Sequence, residues 1–196
     1  MATTAENVAQ MAEWMRLNLT AQELAQITAT VERTGSLAPE ADTIAQFQAG
    51  HLSPAALTFF LPWLWQMRPD ASRVPTEVWR GMFQCAAYTE NRIVQQRPRR
   101  TFRAYRGATL QNRDGLSWSL DVEQAKYFAR SRQAPGAIAH LWVTNIPPER
   151  LFARYTEGFE NEVTADVRGL DVYPLEEEHR LPRPRRPIWG FWSARG

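Results

Sequence analysis

The sequence predicts an α+β protein, helical in its first half and built as a sheet in its second. Three observations predict it. Apolar residues recur at helical spacing between cap signals to about residue 90, short β-rich segments take over from Thr101, and one capped helix interrupts them.

The elements follow in order. Val8, Met11, Ala12, Met15 and Leu19 form one face of a helix over Thr4 to Leu19. Thr20-Ala-Gln-Glu23 is a capping-box pattern, so a second helix runs from Ala21 to Arg33 and stops at Gly35. Pro39 to Gln48 is a third, ended by Gly50. Ser53 is an N-cap with Pro54 at the first helical position, and Pro75 plays the same part for Glu77 to Tyr88. Asn91 to Arg100, polar and basic with Pro98, reads as a connector. Strands are expected at Thr101 to Gly107, Leu116 to Leu120, Ala137 to Ile146, Leu151 to Tyr155, Glu160 to Val167 and Leu170 to Tyr173. The interrupting helix runs from Val122 to Arg130, capped by Asp121 with Gln124 three residues on, and turns Ala125, Phe128 and Ala129 inward. The organisation is thus a helical region over 1–95, a sheet core over 96–175 and a Pro/Arg/Trp-rich tail over 176–196.

Composition narrows the function classes. With 44% hydrophobic and 22% charged residues the 196-residue chain is ordinary globular material and can bury a core. The one cysteine, Cys85, cannot form an internal disulfide and is expected to be a buried small hydrophobe. The start lacks a signal-peptide pattern, which predicts a cytoplasmic protein. The longest apolar stretch, Ala55 to Met67, is interrupted by Pro62 and falls short of the ~20 residues a spanning helix needs, so no membrane role is expected. Of the 23 basic residues 22 are arginine, with Lys126 the exception, yet the net charge is only +2 and gives no global field for nucleic acid. His51, His140 and His179 lie far apart with no ligand-spaced partner, so no metal site is expected.

Three short patterns carry chemistry. Tyr105-Arg106-Gly107 ends one expected strand. Ser117-Trp118-Ser119 forms the next, followed by the capped helix. Glu160-Asn161-Glu162 opens a later strand, after a loop with Tyr155 and Phe159. Arginine, Ser-x-Ser and Glu-x-Glu on successive strands, over Phe102 to Tyr173, resemble the arginine, serine, glutamate class of mono-ADP-ribosyltransferases, which includes bacterial toxins and vertebrate ecto-enzymes.

The resemblance implies a split mixed sheet and NAD as co-substrate, with no metal and no Rossmann fingerprint. It implies that Glu162 stabilises an oxocarbenium-like state at the nicotinamide-side ribose, as carboxylates do in glycoside cleavage. Arg106 would hold the pyrophosphate or ribose, and main-chain groups of Gly107 the carboxamide. Arg103 would face the other side of the strand. Ser117, the first serine, would buttress the glutamate with Ser119 in support, and Phe128 would approach the nicotinamide. Glutamate at 160 goes with transfer to arginine, whose pKa above about 12 demands a carboxylate to take its proton. Tyr155 and Phe159 would contact the target protein. A toxin or effector role follows by analogy, with an inhibitor (antitoxin) protein as a further partner. Two other readings stay open: transfer to a nucleic acid or to water at the same NAD site, and a non-catalytic nucleic-acid or protein-binding module using Arg183, Arg185, Arg186, Trp189 and Trp192.

Overall fold

The computed structural model describes residues 4–34, 40–67, 74–131, 138–156 and 161–176. The expected tail therefore lies outside the described residues, as do Phe159 and Glu160.

Five helices come first: α1 (Thr4–Asn18), α2 (Ala21–Thr34), α3 (Glu40–Gln48), α4 (Pro54–Met67) and α5 (Thr76–Cys85). The expected capping box forms reciprocally at α2. The Thr20 hydroxyl accepts from the Glu23 N–H at 3.2 Å, while the Thr20 N–H donates to the Glu23 carboxylate at 2.8 Å. The other Glu23 oxygen accepts from the Ser53 hydroxyl, which itself accepts from the Ala56 N–H at 3.1 Å and caps α4. Pro62 lies inside α4 and removes one helical donor, yet the helix continues because most of its length is buried against its neighbours. Two expectations shift here. Pro75 is the N-cap of α5 rather than its first residue, and α5 ends at Cys85, where Ala86 turns extended. Cys85 itself is exposed, not buried.

The strands are β1 (Thr89–Glu90), β2 (Ile93–Val94), β3 (Phe102–Ala108), β4 (Ser117–Ser119), β5 (His140–Ile146), β6 (Leu151–Tyr155), β7 (Glu162–Ala165) and β8 (Val172–Pro174), with α6 (Val122–Ser131) between β4 and β5. They form one sheet in the order β2-β1-β6-β7-β4-β3-β5-β8. Every pair is antiparallel except β1 with β6, so the sheet is mixed. The expected connector at Asn91 to Arg100 is in part a hairpin. Asn91 and Arg92 both take positive φ, 49° and 73°, the two-residue turn that suits the twist of paired strands. Left-handed backbone costs a non-glycine residue about 1 kcal/mol or more. Stacking of the Arg92 guanidinium over the Trp63 ring, 4.4 Å from its centroid, offsets part of that.

The sheet is joined unevenly. β3 pairs with β5 along seven residues and β4 with β7 along three, but β3 meets β4 at the single bridge Tyr105 to Ser119. The Arg154 guanidinium of β6 lies 5.4 Å from the ring centroid of Phe102 on β3, its long side chain reaching across two strands on one face of the sheet. That face holds Phe102, Trp118, Trp142, Ile146, Leu151 and Val163 as one core. The other face takes the helices. α4 and α5 pack there against Phe152, Ala153 and Tyr155, and α6 packs against β3 at Gly107.

Helices and sheet are also tied by charge. Arg80 of α5 and Asp166, just past β7, are 3% and 4% exposed, with the Arg80 Nε 3.3 Å from the Asp166 carboxylate. Arg168 grips the same carboxylate through Nε at 2.9 Å and Nη2 at 2.7 Å. Burial alone would raise the Asp166 pKa, but the hydrogen bonds from Arg168 and the charges of Arg168 and Arg80 more than reverse it and hold the carboxyl below its ordinary value. A folded pKa below the unfolded one contributes stability that is complete above pH ~4 and is lost as pH falls through the folded value. Asp166→Asn leaves the buried Arg80 with Glu77 as its remaining counter-charge and weakens the Arg168 hydrogen bonds, and is expected to cost about 1–3 kcal/mol near neutral pH. Urea denaturation from pH 7 to pH 3 checks this, with the gap between the two proteins narrowing on acidification. Gly107→Ala is expected to destabilise too, because its Cβ would overlap the Ala125 carbonyl oxygen and lie 2.5 Å from the Ala129 nitrogen. Both are backbone atoms, so α6 must move, which a lowered Tm reads.

Candidate active site at the sheet split

The register brings three of the expected residues, Glu162, Ser119 and Tyr155, into one row and adds Tyr105 to them. Tyr155, Glu162, Ser119 and Tyr105 are successive cross-strand partners on β6, β7, β4 and β3, so all four share the helix-covered face. Glu162 is half-buried at the first position of β7. One of its oxygens, Oε1, accepts a hydrogen bond at 2.8 Å from the indole Nε1–H of Trp65 on α4, 97 residues earlier. Trp65 is 5% exposed, and an indole N–H so buried needs an acceptor. The start of β7 is held in place as well, since the Leu120 N–H donates to the Asn161 carbonyl at 2.7 Å.

The register does not place the first serine of the motif beside the glutamate. Ser119 stands opposite Glu162, whereas Ser117 stands opposite Thr164, two residues along β7. Ladder register decides which serine neighbours the glutamate, and a three-residue motif read alone does not reveal it. The Ser119 hydroxyl accepts from the Asp121 N–H at 3.0 Å, and Asp121 in turn caps α6 by accepting from the Glu123 N–H at 2.8 Å. Gln124 does not complete that cap, for its Oε1 is buried without a hydrogen-bond partner among the described residues. The Thr164 hydroxyl, on the Glu162 face, is likewise buried and unpartnered among them.

Arg106 does not share the Glu162 face. It is the cross-strand partner of Trp142 in the core of the other face, and alternation along β3 puts it opposite to Tyr105. Its guanidinium donates to the Asn112 carbonyl through Nε at 3.1 Å and to the Ser117 carbonyl through Nη1 at 2.5 Å. Arginine thus folds the 109–117 loop back onto the sheet, and a Cβ at Gly115 would displace the guanidinium from its present position. Arg103, in alternation with Tyr105, is the arginine on the glutamate's side of β3.

The backbone space at Gly107 is filled by α6 through Ala125 and Ala129. Phe128, on the same helix, is half-buried and meets Tyr127 edge-on, with centroids 5.6 Å apart. Tyr155 is not a loop residue. It ends β6, is 2% exposed and packs under the helices, so its ring is not presented to a target protein. The start of the following loop is anchored instead by Asn91, which accepts from the Thr156 N–H at 2.7 Å and donates to its hydroxyl at 2.9 Å.

Sequence reasoning missed Trp65 and Tyr105 as site residues. Trp65 sits in a stretch whose apolar character signals only burial. Tyr105 could have been found from its place next to Arg106 once the strand face of Glu162 was known. Among the described residues no three His, Cys, Asp or Glu side chains come together to hold a metal ion, and no helix is long and apolar enough to cross a membrane. Comparison of the chain with protein-family models, with curated proteins and with solved structures finds no match.

Proposed function

We propose that the protein is an NAD-dependent mono-ADP-ribosyltransferase that moves ADP-ribose from NAD to an arginine of a target protein. The observation that carries the reading is the setting of Glu162: a half-buried carboxylate beside Ser119, one oxygen held by an indole N–H, next to the place where a mixed sheet narrows to one bridge. A split mixed sheet is what the resemblance implies.

The chemistry asks for that setting. As the bond between nicotinamide and ribose breaks, its electron pair leaves with nicotinamide and positive charge grows on the sugar. A carboxylate whose orientation is fixed beforehand stabilises this charge without reorganising when it appears. The acceptor guanidinium then bonds to the sugar carbon and gives up a proton, and Glu160 is the group proposed to take it. Ser119 is the serine proposed to support Glu162. Arg106 serves by holding the 109–117 loop that leads into β4, a role that keeps the Ser-x-Ser strand in place.

Glu162→Gln keeps an oxygen for the Trp65 indole and removes only the charge. Nicotinamide release from NAD is expected to fall by about 100-fold or more with the circular dichroism spectrum unchanged. Equal turnover in the folded variant would remove Glu162 from the mechanism. The acceptor is tested separately with labelled NAD and a lysate, followed by protease or nuclease. Label on protein that is released by neutral hydroxylamine is expected, and Glu160→Gln should lose that transfer while keeping much of the NAD cleavage, because water still captures the cation. Label lost to nuclease would instead favour a nucleic-acid acceptor.

A further inference from the structure

We infer that Trp65 is a positioning residue for Glu162, so that the helical half of the chain completes the site rather than only covering it. The inference rests on the reading of Glu162 as the reacting carboxylate. The sheet strands by themselves give Glu162 its place in the ladder, but a glutamate side chain has three rotatable torsions beyond its Cα, and the ladder sets none of them. The Trp65 Nε1–H, 2.8 Å from Oε1, supplies that constraint.

The donor is itself fixed with respect to the same sheet. The Trp65 ring meets Trp79 and Phe83 of α5 edge-on, at 5.3 and 5.2 Å between centroids and 79° and 80° between planes. Phe83 then stacks on Phe152 of β6 at 5.5 Å and 9°. Because β6 pairs with β7, this chain of rings closes a loop that starts and ends on the sheet: β6, α5, α4 and back to β7 through the hydrogen bond. An indole has only two side-chain torsions, and edge contacts to two rings restrict both. Trp65 is thereby suited to hold the carboxylate in one orientation, at no ordering cost when NAD arrives.

The test uses the full chain and two readouts. Trp65→Phe keeps a ring for Trp79 and Phe83 and deletes the N–H. The kcat for nicotinamide release is expected to drop about 10- to 100-fold while KM for NAD moves by no more than about twofold. In the Glu162→Gln background the same substitution is expected to change the residual rate little, since the charge to be positioned is already gone. Independently of activity, the Trp65 indole proton, assigned through its contacts to the Trp79 and Phe83 rings, should move upfield in Glu162→Gln as a charge-assisted bond becomes a neutral one. This arm needs no Trp65 variant, so a poorly folded Trp65→Phe does not leave the question open.

Wild-type kcat in folded Trp65→Phe beside an inactive Glu162→Gln would overturn the inference, as would an equal loss in both backgrounds or an unmoved indole resonance. Full turnover by Glu162→Gln would overturn the proposed function, and the positioning role with it, while the indole resonance would still report the bond. The two failures therefore read differently.

Discussion

Ring-on-ring packing of Trp65, Trp79, Phe83 and Phe152 joins the helices to the sheet, and the placement of α4 and α5 depends on it. Buried aromatic side chains remove large apolar areas from water, about 150–250 Å² each, so this cluster outweighs the polar contacts around it. Burying an indole, however, also buries a donor. The fold meets that demand with the Glu162 carboxylate on the far side of the cluster, and a requirement of core packing thereby sets the orientation of the most chemically suggestive group in the sheet.

Much of the fold was legible because its signals are local. The Thr20/Glu23 box, the Ser53 cap and the Asp121 cap are statements about neighbouring residues, and each forms as read, apart from the unfulfilled Gln124 half. Strand positions followed from composition to within a few residues. The failures have two causes, strands too short to carry a local signal and pairing between distant segments. Thr89–Glu90 and Ile93–Val94 are too short to show alternation, and Arg92 carries no turn signature, so the hairpin was invisible. Which serine meets Glu162 is a matter of register, and the partnership of Glu162 with Trp65 spans 97 residues. The burial of Tyr155 likewise depends on helices laid over β6 from elsewhere in the chain.

Arginine richness also takes on a different meaning once the partners are known. The composition suggested a surface suited to phosphates and carboxylates, but several guanidinium groups are engaged inside the fold. Arg106 holds two loop carbonyls, Arg97 donates to the Leu151 carbonyl at 3.1 Å, and Arg80 is buried beside Asp166. A planar fork that remains charged can reach separated carbonyls from different nitrogens, where a lysine carries its three donors on one atom. In these places arginine serves as backbone mortar, filling what regular hydrogen bonding leaves undone.

The single bridge between β3 and β4 has a mechanical consequence. Strands β2, β1, β6, β7 and β4 form one plate, and β3, β5 and β8 another, so Ser119 and Glu162 belong to the first plate while α6 rests on the second. A continuous ladder resists shear with every rung. Here one rung crosses the seam, supplemented by the Arg106 guanidinium reaching the Ser117 carbonyl. The seam thus rests on side-chain packing and one clamp, with fewer ladder pairs than any other junction of the sheet, and it crosses the row that carries the carboxylate.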